Sequence, residues 1–417
     1  MADDRELGGL RDATPAPAIL VSRAHELAES ADLKRCFRFF HEERRWIDER
    51  HLEICRIPSL TFREQQRAEF LCELFADLGL QAQIDEAGNV LAPVIYGRSL
   101  PFTAVTAHLD TTLAPRQPTD VTLAPDGTLT GPGVTDNGAG LVALVAFARL
   151  LREGPLVPKP SRNVLLVANV AEEGEGNLLG MKHLCLRSRF AERISEYLVL
   201  DGASIGHITA EALGSRRFEI LLEARGGHSW NDFGRANPVH AMARAVTLLA
   251  DIDLPRSPRT TLTVAMIEGG AGVNAIAPAA RAKVDIRSRS EAGIERVVQG
   301  MEEAVRLAAE RENRRSSDRL TGYRIREIGR RPAAPRSPDN RLVECLQSVD
   351  AFLGIRSRFD CASTDANVPL AAGLPAVAIG AGGRGGDAHA PTEWYHPEGR
   401  ALGLQRVALA IALLQAG

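Results

Sequence analysis

The chain has 417 residues, which is more than one hydrophobic core usually supports, so we expect two domains. Hydrophobic residues make up 45% and charged residues 25%, and the net charge of −3 gives no reason to expect nucleic acid or an anionic membrane as a partner. The apolar stretches are too short to span a bilayer, and the acidic N-terminus does not resemble a secretory signal. The six cysteines lack CxxC spacing, which predicts reduced thiols in a cytoplasmic protein.

The predicted elements of the first half alternate between helix and strand. A polar segment, residues 1–20, is predicted to be mobile, and helical spacing of apolar residues follows it. Thr61 and Glu64 form a predicted capping box for a helix that ends near Gly79. Asp126-Gly127 predicts a hairpin turn. Predicted strands then lie at 81–86, 89–96, 103–109, 163–170 and 196–201, and predicted helices at 139–152 and 177–187. This alternation predicts a mostly parallel sheet covered by helices on both faces.

A different pattern begins after Gly214. The predicted order is strand, helix, two strands, helix and strand, at 216–225, 238–250, 260–268, 279–289, 291–311 and 321–328. This βαββαβ order is typical of a compact two-layer α+β domain. A Pro-rich linker follows at 330–338, and the α/β pattern then resumes. We therefore predict an α/β metal-binding domain formed by residues 21–214 and 331–417, with an inserted domain at 215–330.

Five residues with metal-ligand chemistry lie at the ends of predicted strands or in glycine-rich loops: His108, Asp136, Glu173, Asp201 and His389. Each alone has a simpler interpretation, such as a helix-capping aspartate, a solvated acidic turn or a surface histidine. Their joint occurrence, mostly at strand ends of one predicted sheet, indicates a site for two divalent cations. Such a site predicts metal-assisted hydrolysis.

Two neighbouring residues fit supporting roles at such a site. Asp110 lies two residues after His108, so both side chains would leave the same face of a strand, where a carboxylate can orient a ligating imidazole. Glu172 and Glu173 end a buried apolar strand, where two adjacent acids are costly without a compensating cation. One of them can bind metal, while the other acts as a general base toward a water molecule. Gly131 and Gly133 form a GxG step, but its context does not fit a nucleotide site.

Several short motifs appear in the order found in one known family: HLD at 108–110, the Asp136-Asn137 step, EE at 172–173, Asp201, GGHS at 226–229, the GG…VNAIAP run at 269–278 and STDAN at 363–367. Over about residues 50–417 the chain resembles the dinuclear-zinc peptidases and amidohydrolases. That family includes glutamate carboxypeptidase, peptidase T, aminoacylase, acetylornithine deacetylase and succinyl-diaminopimelate desuccinylase.

The resemblance implies a role for each residue of the metal site. Asp136 would bridge two metal ions, with His108 and Asp201 completing one site and Glu173 and His389 the other. The resemblance also implies that Glu172 is the general base, that Asp110 orients His108, and that the Asp136-Asn137 peptide bond is cis.

For the inserted domain, the resemblance implies a lid that also forms the interface of a homodimer. His228 would stabilise the oxyanion of the tetrahedral intermediate, either in its own protomer or across the dimer, while Asn274 and Arg287 would bind substrate. Arg287 would pair with a substrate carboxylate. It alternates with Val284 and Ile286, however, so a solvent-facing charge on a strand is an alternative interpretation.

The sequence thus predicts hydrolysis of amide bonds in small peptides, by a di- or tripeptidase that uses water bridging two cations. A deacylase or carbamoylase of N-acyl amino acids would use the same site, and an inactive peptide-binding relative is a third alternative. Zinc suits the ligand set, and cobalt or manganese could replace it. Two features depart from the family pattern: Asp387, close to His389, and the segment before about residue 50, to which the resemblance assigns no role.

Overall fold

The computed structural model describes residues 16–270 and 272–417. These residues form two compact units. Unit 1 comprises the described residues up to Ala212 together with Arg336–Gly417, and unit 2 comprises Leu213–Pro335. Residues 1–20 were predicted to be mobile, but a helix begins at Ala18 and includes the last three of them. The first fifteen residues of this segment lie outside the described part. Within the described ranges, no helix is long and apolar enough to cross a membrane.

The helices of the described chain are labelled in chain order. They are α1 (Ala18–Ala28), α2 (Ala31–Glu42), α3 (Arg44–Arg56), α4 (Gln65–Asp77), α5 (Gly138–Arg152), α6 (Leu179–Leu186), α7 (Pro238–Ala250), α8 (Glu291–Arg315), α9 (Arg341–Leu353), α10 (Asn367–Ala371) and α11 (Arg400–Gln415).

The strands are labelled in the same way. They are β1 (Gln83–Ile84), β2 (Val90–Val94), β3 (Phe102–His108), β4 (Thr122–Leu123), β5 (Leu129–Thr130), β6 (Asn163–Asn169), β7 (Ile194–Leu200), β8 (His207–Ala212), β9 (Gly214–Glu223), β10 (Gly227–His228), β11 (Thr260–Gly269), β12 (Ala275–Ile276), β13 (Ala279–Ser288), β14 (Gly322–Arg331), β15 (Arg358–Ala362), β16 (Ala376–Ile379), β17 (Arg384–Gly386) and β18 (Trp394–His396).

Unit 1 is built on an eight-stranded sheet with the strand order β1-β2-β6-β3-β7-β16-β8-β15. The four central strands β6, β3, β7 and β16 run parallel, and β1 and β2 continue the sheet with antiparallel pairs. On the other side, β8 pairs antiparallel with β16 and parallel with β15. Every residue of β3 and β6 is buried. Because successive side chains of a strand point to opposite faces, the sheet is covered on both faces, as predicted for this α/β fold.

Unit 2 has the predicted βαββαβ order. Its antiparallel sheet has the strand order β11-β13-β9-β14, so β11 and β14 are its edges. Buried residues alternate along β13, and they share a second hydrophobic core with α7 and α8. This alternation is typical of a sheet with helices packed on one face.

Some local predictions were wrong. Thr61 does not cap a helix, since its hydroxyl donates to the Asp110 carboxylate and α4 begins only at Gln65. Strands β8 and β15 were missed because they have only six and five residues, and polar-apolar alternation over so few positions is a weak signal. The stretch predicted as a linker is partly strand, because β14 continues to Arg331.

Candidate metal centre

Three of the five candidate ligands lie at the carboxyl edge of the parallel strands. His108 is the last residue of β3, Asp201 directly follows β7, and Glu173 comes four residues after the end of β6. These strands are neighbours in the sheet, so their carboxyl ends meet at one edge. That edge is where open α/β sheets hold their ligands.

The structure brings all five candidate ligands together, in two groups that share Asp136. In the first group, His108 Nε2 lies 3.0 Å from Asp136 Oδ1 and 3.9 Å from Asp201 Oδ1. In the second group, His389 Nε2 lies 3.1 Å from Asp136 Oδ2 and 2.8 Å from Glu173 Oε1. One carboxylate therefore presents one oxygen to each group.

This donor set fits two divalent cations. Ligand atoms bound tetrahedrally to one zinc ion at 2.0–2.2 Å lie about 3.4 Å from one another. The donor atoms of each group lie within 4.8 Å of one another, and the distances from His108 Nε2 to its two partners fall on either side of that spacing. Imidazole nitrogens and carboxylate oxygens are the donor types found in catalytic zinc sites.

Asp110 supports this centre from behind. Its backbone carbonyl lies 2.9 Å from His108 Nδ1, and because a carbonyl only accepts, Nδ1 donates and Nε2 is left to face the ligand group. The Asp110 carboxylate, 3.6 Å from Nδ1, accepts the backbone N–H groups of Glu172 and Glu173 at 2.9 and 2.8 Å. Asp110 therefore places the imidazole through its main chain and the two glutamates through its side chain.

Glu172 lies at the same centre. It is buried, and one of its carboxylate oxygens lies within 4.8 Å of ligand atoms of His108 and Glu173. This position is close enough for its carboxylate to exchange a proton with a molecule held between the two ligand groups.

The loop that carries Asp136 is held by a residue that the sequence analysis missed. The buried carboxylate of Glu393 accepts the backbone N–H groups of Gly133, Thr135 and Asp136, each at 2.8 Å. After Asp136 the peptide bond to Asn137 is cis, as the resemblance implied, and the Asn137 side chain caps α5. The one available signal for Glu393 was its position four residues after His389.

Charge crowding shifts the pKa values of this cluster. Burial, together with the charge of Asp136, raises the pKa of Asp201 to about 7. The hydrogen bond with Asp136 raises the pKa of His389 to about 9. Burial opposes ionisation of Asp136, but its hydrogen bonds with both histidines outweigh burial and lower its pKa. Several carboxylates thus compete for few positive charges, a conflict that bound cations would relieve.

The candidate residues of unit 2 do not form one cluster. His228 in β10 pairs with Ala275, and Ser229 donates to the Asn274 carbonyl, so His228 and Asn274 are neighbours on an exposed tip. Arg287 lies near the other end of β13, where its guanidinium donates to Asp285. The stretch from Ala279 to Arg287, eight strand rises of about 3.3 Å each, extends over about 26 Å.

Comparison with known proteins shows where this architecture belongs. The model of peptidase family M20/M25/M40 matches residues 104–413, about three quarters of the chain. The chain belongs to this family. Membership confirms the predicted family, the predicted class of enzyme, a dinuclear metallohydrolase, and metal-dependent peptide hydrolysis as its reaction class.

Individual members are only distantly similar in sequence. An uncharacterised protein of Bacillus subtilis strain 168, YqjE, is 24% identical over 359 residues, which are 82% of this chain and 91% of that protein. The crystal structure of a Staphylococcus aureus tripeptidase is similar with a TM-score of 0.72 and 19% identity, over 89% of this chain and 98% of that chain. The dipeptidase Dug1p of Saccharomyces cerevisiae has a TM-score of 0.71 and 14% identity, over 94% and 99%. These structures share the fold.

Proposed function

We propose that this chain is a di- or tripeptidase whose two divalent cations are bridged by Asp136. The observation that carries the proposal is the division of the two Asp136 oxygens between separate ligand groups, one with His108 and Asp201 and the other with Glu173 and His389. A carboxylate shared in this way is the bridge that a two-metal hydrolytic site needs.

Glu172 is the proposed general base and acid. When bound, the two cations polarise the scissile carbonyl group and lower the pKa of the attacking water. Glu172 takes the proton of that water and then delivers it to the leaving amine nitrogen, so the proton is conserved over the reaction. Asp110 keeps Glu172 in place by accepting its backbone N–H group.

The surroundings of Asp201 support a small peptide as substrate. Asp201 and Thr135 line a cavity of about 670 Å³ in unit 1, together with the loop 202–206 and with residues 383–385 at the start of β17. This volume is in the usual range for small-molecule sites. An N-acyl or N-carbamoyl amino acid would use the same centre and remains the alternative substrate.

The positions inside unit 2 support a homodimer. A fully extended tripeptide spans about 10 Å, so a single substrate cannot contact Arg287 and the tip with His228 in one copy of unit 2. We therefore infer that Arg287 binds the substrate carboxylate in its own protomer, whereas His228 and Asn274 act on the substrate of the partner. The open edge strand β11 would pair the two copies.

Zinc is the proposed native metal, since two imidazoles and several carboxylates suit it, with cobalt or manganese as substitutes.

We also propose a cytoplasmic location. All six cysteines lie in the described part of the chain, and none forms a disulfide. Unpaired cysteines are usual in a reducing compartment.

A substrate panel tests the proposed function. The enzyme is stripped of metal, reloaded with zinc, manganese or cobalt, and assayed on dipeptides, tripeptides and N-acetyl amino acids, with Glu172→Gln as the control for contaminating peptidases. The proposal expects the highest kcat/KM on dipeptides or tripeptides. A preference for N-acyl amino acids would replace it with the deacylase alternative. Absence of bound metal and of all activity would favour an inactive relative.

A further inference from the structure

Helix α3 lies outside the matched family region, which begins at residue 104, yet it reaches the loop of the metal centre. His51 in α3 is fully buried, and its Nε2 lies 2.7 Å from the backbone carbonyl of Val134. Since a carbonyl only accepts, Nε2 donates this hydrogen bond. Val134 stands two residues before Asp136, the carboxylate shared by both ligand groups.

The segment Gly133–Asp136 is therefore held from two directions. Glu393 accepts its backbone N–H groups, as described above, while α3 donates to its carbonyls. Besides His51, Cys55 Sγ donates to the Gly133 carbonyl at 3.6 Å. The His51 ring also packs edge-on against Tyr395, 4.7 Å between ring centres, two residues after Glu393. Both sets of contacts thus belong to one buried assembly.

Gly138 shows how closely α3 approaches the loop. A β-carbon at Gly138 would lie 2.4 Å from Cys55 Sγ and 2.8 Å from His51 Nε2. Both distances are far below van der Waals contact, so the backbone next to the cis peptide lies directly on α3. A buried ion pair between Asp48 of α3 and Arg400 of α11, 2.6 Å long, fixes the helix in turn. A displacement of α3 would therefore also move the loop that carries Asp136.

A buried histidine at position 51 costs more free energy than an apolar residue that fills the same space. Burial and the nearby Arg400 lower its pKa to about 3, so the ring is neutral and carries one N–H group. That group is used on Val134, and Nδ1 lies buried without a hydrogen-bond partner among the described residues. An apolar side chain would fill this space without an unsatisfied nitrogen. The single donated hydrogen bond is what histidine adds here.

We propose that His51 is a positioning residue of the metal centre, which holds the Asp136 carboxylate between its two cations by fixing the Val134 carbonyl. The inference rests on the proposed two-metal function. It also gives α3 a role, because this helix provides the surface against which the loop carrying Asp136 packs.

Variants of His51 test this role with readouts other than turnover. His51→Phe fills the space but removes the donor, whereas His51→Gln keeps an amide N–H. Leu33→Ala in α2 is the matched control, because it removes buried volume from a neighbouring helix without touching the loop. Zinc affinity is measured by chelator competition, the visible spectrum of the cobalt-loaded protein reports the ligand geometry, and thermal unfolding reports stability.

We expect His51→Phe to lose about tenfold or more in affinity for at least one cation and to change the cobalt spectrum, as is usual when an outer-shell partner of a metal ligand is removed. His51→Gln should stay within about threefold of wild type, and Leu33→Ala should lose stability without loss of affinity. Unchanged affinity and spectrum in a folded His51→Phe would overturn the inference. If His51→Phe does not fold, the cation affinity of His51→Gln tests the inference instead. A loss of more than about threefold in that affinity would contradict it. Failure of the wild type to bind two cations would instead refute the proposed function.

Discussion

The metal centre of unit 1 and the exposed tip of unit 2 were both predicted as functional, but they are built differently. At the centre, residues from 108 to 389 converge: His108, Glu172 and Glu173 are buried, Asp136 and Asp201 are partly buried, and His389 is exposed. Further buried residues, Asp110 and Glu393, accept hydrogen bonds from their backbone N–H groups. At the tip, His228 and Asn274 are exposed, and Arg287 lies apart from them, paired with Asp285. Unit 1 therefore contains a preorganised centre, whereas the candidate residues of unit 2 would form a site only when substrate and a partner protomer are present.

The difference teaches where rigidity is needed. Ligands of a cation must keep their geometry before the cation binds, so they are set in buried hydrogen-bond networks. Groups that contact substrate late in the reaction can stay exposed until the substrate arrives. Five expectations follow, for substitutions, for mixed dimers and for pH, and the substitutions are given in order of decreasing effect.

Loss of the base at the centre should have the largest effect. Glu172→Gln should lower kcat by about 10³-fold, because the water and the leaving amine lose their proton carrier, while both cations stay bound. Turnover and metal content are measured together. Glu175→Gln in the same loop is the matched control. Near-native turnover of Glu172→Gln would contradict the assignment of Glu172 as the general base.

Loss of the exposed imidazole at the tip should have a smaller effect. His228→Ala should lower kcat by about 10²-fold, as loss of an oxyanion donor does, without change in metal content. His240→Ala, an exposed histidine of α7, is the control.

Mixing the two inactive variants then tests whether the tip acts across protomers. If His228 serves the partner, half of the dimers formed from His228→Ala and Glu172→Gln are mixed and contain one intact site. The mixture should recover about a quarter of wild-type activity. No recovery after subunit exchange would place His228 in its own protomer or outside the reaction.

Acidification should weaken the binding of cations at the metal centre. The pKa of His389 in the metal-free protein is raised to about 9, so below that pH a cation must displace a proton from its imidazole. Affinity for at least one cation should therefore fall by up to about tenfold for each pH unit below 9. Competition with a chelator of known pH dependence measures this slope between pH 6 and 9. A flat profile would contradict the assignment of His389 as a ligand.

The arginine of unit 2 should have the mildest effect. Arg287→Ala should raise KM by about tenfold for peptides with a free carboxylate, because a charge-assisted hydrogen bond is lost, and should leave C-terminal amides unaffected. Arg324→Ala, an exposed arginine of β14, is the control. Equal changes for acids and amides would support the alternative interpretation of Arg287 as a surface charge.

Much of the centre could be predicted because of how parallel sheets are built. His108 ends one of three neighbouring strands, and Glu173 and Asp201 follow the other two. The carboxyl ends of parallel strands meet at one edge of a sheet. The predicted helices and strands of unit 2 also agree with the structure to within a few residues, since long alternating and helical patterns are strong local signals.

The remainder depended on contacts that leave no local pattern. Glu393 accepts a hydrogen bond from the backbone N–H group of Asp136, 257 residues away, and its closeness to His389 in the sequence does not indicate this partner. Thr61 has the spacing of a helix cap but donates to Asp110 instead, because tertiary contacts can override a local preference. The role of α3 was invisible for the same reason, since His51 meets the loop 83 residues further along the chain.

Diffraction from crystals grown with zinc would test the central claim most directly, through an anomalous difference map collected at the zinc edge. The account predicts two peaks in unit 1, one on each side of the Asp136 carboxylate, the first within bonding distance of His108 and Asp201 and the second within bonding distance of Glu173 and His389. A single peak, or peaks away from Asp136, would contradict the two-cation centre.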